Sequence, residues 1–303
     1  MLKQSAAYDT IIKTAAFGVI KMKVYADDFF KVYDPNEKEK WYINDHTIIR
    51  GDDGWHLFGI THEEPAKPLE ETLCAHAVSS DILSSPFQKK EPVFCAQREL
   101  GELVVWAPHV IGHDGLFYMF YCAGSLSGHN NYRIHLATST DLYNWEKHAE
   151  NPLLTDGFDA LDPMVLRVGD KWVMYYTCNS TPDGGNHCVA CVESDDLVHW
   201  KNKKTVFTSS LCGTFAGPCE SPFVEKVGDT YFLFIGPLGG YGKAYCDTAV
   251  YASKDPYSFS EDALVGRIPS HAAEVLKIGE KYYITHCGWG QGGVYLAELH
   301  FEL

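Results

Sequence analysis

The feature that most limits what this chain can fold into is an internal repeat. Five segments, opening at Asn44, Trp106, Leu161, Glu220 and His271, align without gaps over about their first eleven residues. Each carries an aliphatic anchor: Ile48, Val110, Val165, Val224 or Val275. Seven positions after the anchor stands an aromatic residue: Trp55, Phe117, Trp172, Tyr231 or Tyr282. Between the two lies a glycine beside an acid, as in Asp53-Gly54, Asp114-Gly115, Gly169-Asp170, Gly228-Asp229 and Gly279-Glu280. That pattern reads as strand, tight turn, strand. A third strand then ends in Ser-x-Asp, at Ser79/Asp81, Ser139/Asp141, Ser194/Asp196 and Ser253/Asp255. Two copies add a tryptophan four residues after the acid, Trp145 and Trp200. The acid suits a turn and the tryptophan suits a cap on the apolar layer between sheets, so these motifs read as structural.

The anchors are 51 to 62 residues apart. Repeats of that length with three or four strands each are propeller blades. No helical periodicity separates the strands; Thr61 to Leu73 and the N-terminus are the candidates for a short helix. The expectation is all-β: a five-bladed β-propeller, one domain over 1–303, with blades opening near 44, 106, 161, 220 and 271. Residues 1–40 form an N-terminal extension, of which 16–34 add strands to the first or last blade. Closing the ring removes exposed sheet edges.

Charge narrows the function classes. Lys and Arg total 25 against 40 Asp and Glu, a net −15. The charge argues against nucleic acid as a partner, because phosphate contacts need a basic face. It also argues against a polybasic membrane anchor, and no apolar run is long enough for a spanning helix. Met1 to Thr14 lacks a basic stretch followed by an apolar core, so a cytoplasmic location is expected. The ten cysteines are then expected to be free thiols. Cys188 and Cys191 imitate half a zinc site, but residues three apart on a strand face opposite sides and cannot chelate one ion.

In a propeller the first strand of each blade lines the central channel and starts at one mouth. Three positions before the anchors stand Asp45, Ala107, Asp162, Ser221 and Ala272; four before stand Asn44, Trp106, Leu161, Glu220 and His271. The mouth therefore gathers Asp45, Asp162 and Glu220, with Trp106 and His109 from blade two and His271 from blade five. Crowding by Asp162 and partial burial raise the pKa expected of Glu220, as a general acid requires. Asp45, set apart, stays ionised and activates a water. Two carboxyl groups flanking a bond are the arrangement of glycoside hydrolysis. Trp106 offers an apolar face for a sugar ring, and Asn44, His46, His109 and His271 are candidates for its hydroxyls. Tyr241 and Trp289 are further aromatic candidates. A passive carbohydrate-binding propeller is the rival class, but it has no need of so much clustered negative charge. A phosphorylase needs a cationic site; Arg133 and Lys243 are available, yet the blade openings supply no Lys or Arg.

The pattern resembles the five-bladed furanosidase clan, glycoside hydrolase families 43, 62, 32 and 68, over about residues 41–303. Trp106-Ala107-Pro108, Leu161-Asp162-Pro163 and Glu220-Ser221-Pro222 are similar to family 43 blade openings. That resemblance implies Asp45 as general base, Asp162 as the residue tuning the acid's pKa, and Glu220 as general acid. It also implies a blade-five histidine beside the channel, near a calcium ion or a water, and His271 matches it. Trp41 to Asp45 resembles the opening of the family 32 motif Trp-x-Asn-Asp-Pro-Asn-Gly. Here His46-Thr47-Ile48 replaces Pro-Asn-Gly, Leu161 stands where family 32 has Arg, and Ser221 where it has Cys. A family 32 reading would make Asp45 a nucleophile with retention of configuration. The expectation is an inverting hydrolase that removes a terminal furanosyl or pentosyl unit, arabinofuranosyl or xylosyl, from oligosaccharides. No cofactor is required for that chemistry; a structural calcium ion in the channel, with His271 as ligand, is the one ion expected. A retaining β-fructofuranosidase is the alternative.

Overall fold

A computed structural model describes residues 22–303 apart from 66, 125–131, 158, 214–216, 238–245 and 289–290. Its strands form five antiparallel sheets, one per repeat. Blade 1 runs outward through Trp41–Arg50, Trp55–Glu63, Leu73–Ser79 and Gln88–Cys95. Blade 2 runs through Trp106–His113, Leu116–Gly124 and Tyr132–Ser139, whose outer edge pairs with the short strands Glu146–Lys147 and Leu154–Thr155. Blade 3 is Leu161–Val168, Lys171–Thr181, Gly184–Ser194 and Lys201–Cys212; blade 4 is Glu220–Val227, Thr230–Gly236, Thr248–Ser253 and Leu264–Ile268. Blade 5 takes Val275–Ile278, Lys281–His286 and Val294–Glu302 from the C-terminal end. Its outer edge comes from the other end of the chain: Lys23–Ala26 and Phe30–Tyr33 both pair with Val294–Glu302. The N-terminal strands thus join the last blade, and the ring is closed by main-chain hydrogen bonds.

The hairpin turns follow the sequence signal. Asp114 and Gly115 have φ of 50° and 77°, the double positive φ of the turn that matches strand twist. The Ser-x-Asp corners are hydrogen-bonded alike. Ser194 Oγ accepts from the N–H groups of Asp196 and Leu197 at 3.1 and 2.9 Å, while Asp196 accepts from those of Val198 and His199 at 3.0 and 2.8 Å. Ser139 and Asp141 repeat this in blade 2, with bonds of 2.7 to 3.1 Å. Each corner sends its tryptophan against the preceding blade. Trp145 meets Phe58 edge-on at 5.5 Å, and Trp200 meets Phe120 at 5.7 Å.

The core lies in layers between blades, where side chains of adjacent sheets interdigitate. Cys188 and Cys191 are buried in different layers, as opposite faces of one strand require. All ten cysteines are free thiols. The helix considered over Thr61 to Leu73 is not formed. The strand of blade 1 runs on to Glu63, and only a single 3-10 turn, Pro68–Glu70, follows, because Pro65 and Pro68 interrupt any helical ladder. No helix among the described residues is long and apolar enough to cross a membrane.

Candidate active site

The openings of blades 1 to 4 each carry a bulge, and the bulge aims the site residues. In blade 3, Leu161 opposes Thr177 and Met164 opposes Tyr175, so one extra residue is inserted on the inner strand. Blades 2 and 4 slip identically between Trp106 and His109 and between Glu220 and Phe223. In blade 1 the extra residue is Asp45, between Asn44 and His46. Ala107, Asp162, Ser221 and Ala272 all sit in the left-handed region, with φ of 43°, 51°, 48° and 48°. That conformation costs an L-residue about 1–2 kcal/mol, and the rest of the blade must hold it in place. Pro108, Pro163 and Pro222 follow directly, and a proline at a bulge strands no N–H donor.

The result is a ring. Positions three, two and one before the anchors line a narrow channel cavity, including Asp45, His46, His109, Asp162, Ser221 and Glu274. Its volume is about 30 Å³, room for one or two water molecules. Ser221 lies between the two aspartates. Its hydroxyl donates to Asp45 Oδ2 at 2.8 Å, and its backbone N–H donates to Asp162 Oδ2 at 2.9 Å. Asp45 Oδ1 faces His271 Nε2 at 3.4 Å. Thr177 Oγ1 divides its single hydrogen between Asp162 Oδ2 at 3.3 Å and the Cys219 carbonyl at 2.8 Å.

These surroundings separate the two carboxyl groups. Burial alone would push Asp45 up, but the hydrogen bond and charge of His271, with the Ser221 hydroxyl, hold it below the ordinary carboxylate range. Asp162 is pushed up to about 7, first by burial and then by the negative charge of Asp45. The sequence predicts crowding of Glu220 by Asp162. In the structure the charge that raises Asp162 is that of Asp45, because the bulges turn both aspartates into the ring while Glu220, one position further out, is absent from its lining. Glu220 is buried at the start of its strand, next to the buried Cys219, with its N–H on the Gly217 carbonyl at 3.3 Å.

The other predicted contacts divide. Asn44 and Trp106 are both buried, and Asn44 Oδ1 and Trp106 Nε1 have no hydrogen-bond partner among the described residues. A buried polar atom without a partner is unusual and marks a place for a ligand's hydroxyl. Trp106 has one face stacked on Tyr132, with centroids 5.1 Å apart. His46 Nδ1 contacts Cys287 Sγ at 2.9 Å while its Nε2 has no partner among the described residues; burial lowers its pKa to about 3, so it is neutral. His109 departs from its expected role. Its ring nitrogens meet Glu274 Oε1 at 3.1 Å and the Val165 carbonyl at 3.4 Å, which leaves neither for a sugar. The reason is Glu274, also bound by the Ile48 N–H at 3.1 Å. Sequence reasoning passed over it, although it occupies the same position before its anchor as His109. Tyr241, Trp289 and Lys243 lie outside the described residues.

His271 turns toward Asp45, and its backbone N–H donates to His286 Nδ1 at 3.0 Å. A calcium ion takes six to eight oxygen ligands. Both Asp45 oxygens already face a donor, and among the described residues no three His, Cys, Asp or Glu side chains are grouped to hold a metal ion. These residues do not fit calcium, and no step below runs through a metal.

A protein-family comparison matches residues 36–284 to the glycosyl hydrolases family 32 N-terminal domain. The chain belongs to this family. Among curated proteins, this family 32 domain is 32% identical over 82 residues to a probable arabinan endo-1,5-alpha-L-arabinosidase C of Aspergillus flavus, and equally to one of Aspergillus oryzae. The match spans 25% of this chain and 26% of theirs, about a quarter of the length of these relatives. Solved structures share the fold at low identity. A thermostable family-43 glycoside hydrolase superposes with a TM-score of 0.64 at 17% identity, covering 89% of this chain and 92% of its own. The α-L-arabinanase of Cellvibrio cellulosa gives 0.63 at 17%, covering 88% and 92%. A family 32 β-fructofuranosidase from Bombyx mori gives 0.61 at 16%, covering 91% of this chain and 59% of its own. Both family 43 and family 32 structures thus share the propeller, while the family model that matches is that of family 32.

Proposed function

We propose that the domain is a glycoside hydrolase that removes a terminal furanosyl or pentosyl unit, arabinofuranosyl or xylosyl, from an oligosaccharide with inversion. One observation carries the reading: Asp45 and Asp162 meet at one channel, bridged by Ser221, in surroundings that hold Asp45 below the ordinary carboxylate range and push Asp162 up to about 7. Clustered acids with separated pKa values are how a site runs acid and base chemistry together. Asp45 takes a proton from the attacking water. Glu220, the first residue of the inner strand of blade 4 and the neighbour of Ser221, protonates the leaving oxygen. Asp162, neutral below about pH 7, adds no second negative charge beside Asp45 and has a proton to donate to the sugar. Asn44 Oδ1 and Trp106 Nε1 supply an acceptor and a donor for ring hydroxyls. Both oxygens of Asp45 already face a donor, which suits a group that orients a water more than one that attacks carbon.

The match to family 32 favours a second reading, in which Asp45 is the nucleophile and configuration is retained. Proton NMR of the first anomer formed separates the two, on nitrophenyl arabinofuranoside, xyloside, galactofuranoside and fructosyl substrates. Inversion on a pentoside supports the first reading. Retention, above all on a fructoside, supports the second. Turnover of none of them would leave a carbohydrate-binding propeller.

A further inference from the structure

The Ser221 hydroxyl has one hydrogen and gives it to Asp45, a residue 176 positions away in sequence. The Ser221 N–H goes to Asp162, 59 positions away. One residue therefore touches both aspartates by separate donors, across three blades. Its backbone is held at a φ of 48°, so the N–H and the side chain leave the strand in directions that a regular strand would not allow. At the equivalent positions of blades 2 and 5, Ala107 and Ala272 adopt φ of 43° and 48° with no side-chain donor at all. The bulge thus forms without a hydroxyl, and the hydroxyl of blade 4 is an addition to it.

We infer that Ser221 is a positioning residue for Asp45: its hydroxyl fixes the direction and the charge of that carboxylate, while its N–H separately anchors Asp162. The inference rests on the glycoside hydrolase reading for its consequence in turnover, but not for its effect on Asp45 itself. A hydroxyl bonded to a carboxylate favours the ionised form. Removing it leaves Asp45 with His271 and its own backbone N–H, beside a second buried acid.

The test compares wild type with Ser221→Ala and Ser221→Cys. Alanine already occupies this backbone conformation twice in the same ring, so Ser221→Ala is compatible with the fold. Cysteine keeps a donor, but a weak one. In protein labelled with carboxyl-13C aspartate, the Asp45 midpoint, assigned with Asp45→Asn, is expected to rise by about one pH unit in Ser221→Ala, a tenfold loss of acidity, and by less in Ser221→Cys. Asp162 keeps its N–H bond in every variant, so its midpoint moves less. In turnover, the acid limb of kcat/KM moves up by the same interval and kcat falls more than KM rises. A wild-type Asp45 midpoint in Ser221→Ala overturns the inference, whatever happens to the melting temperature. If no glycoside is turned over by wild type but the Asp45 midpoint still moves, the hydrolase reading fails and the role of Ser221 stands.

Discussion

The molecule repeats itself in two places, and the two repeats are built on opposite rules. At the Ser-x-Asp corners the side chains recur and so do their hydrogen bonds: Ser139/Asp141 and Ser194/Asp196 cap the same four N–H groups within 0.2 Å of one another. At the blade openings only the backbone recurs. Four openings share a left-handed residue within 8° of φ, yet the residues there are Ala, Asp, Ser and Ala. The corners need identical chemistry because each satisfies its own turn. The openings need identical geometry because it brings five strands to one ring, and geometry of that kind leaves the side chain open to differ. The chemistry sits where the repeat holds its shape and changes its residues.

Substitutions test this contrast by asking whether each region affects turnover or stability. Asp45→Asn removes the base and is expected to lower kcat by about 10³-fold or more, with a cooperative melt retained. Near-wild-type turnover of every active glycoside by this variant would falsify the assignment of Asp45. Glu220→Gln is expected to cost about 10²–10³-fold on an alkyl glycoside. On a nitrophenyl glycoside the loss should be far smaller, since nitrophenolate leaves without a proton; equal losses on both would remove Glu220 from the acid role.

The third test uses pH and stability. Asp162 is raised in the folded state to about 7, above the ordinary carboxylate value near 4 that it takes when unfolded. Its contribution is therefore fully present below about pH 4 and is lost as pH rises through about 7. Asp162→Asn should flatten that decline, gaining stability relative to wild type above neutral pH in denaturant titrations run from pH 5 to 8. An unchanged slope would mean that Asp162 does not carry the proton. The smallest effect belongs to the corner. Ser194→Ala deprives two N–H groups of their acceptor, for about 1–2 kcal/mol of stability by chemical denaturation and no change in kcat. A corner variant that changed turnover without changing stability would break the division drawn here.

Legibility in the sequence followed the range of the interactions. Hairpins, corners and blade count were readable because each depends on residues within a few positions of one another, such as Asp114-Gly115 or Ser194 with Asp196. The convergence of Asp45 and Asp162 was readable too, since blade register alone carries it. What the register could not show is direction. The bulges turn Asp45 and Asp162 toward each other and toward Ser221, and the charge of Asp45 beside it raises Asp162. His109, a candidate for a sugar hydroxyl, pairs with Glu274, 165 residues away. Both arrangements involve buried polar groups whose partners lie on other blades.

The amino-acid sequence by itself determined that this chain is a ring of five similar sheets with acids at its openings. Strand, turn and corner chemistry act over a few residues, and the spacing of the repeats does the rest. Tertiary structure alone decided which end of the chain completes blade 5, which buried polar atoms near the blade openings have no partner among the described residues, and which of two neighbouring carboxyl groups keeps its charge. The physical reason is that a buried carboxyl's protonation depends on the donors and charges within a few ångströms of it. For Asp45 those are Ser221 and His271, residues brought beside it only by closure of the ring.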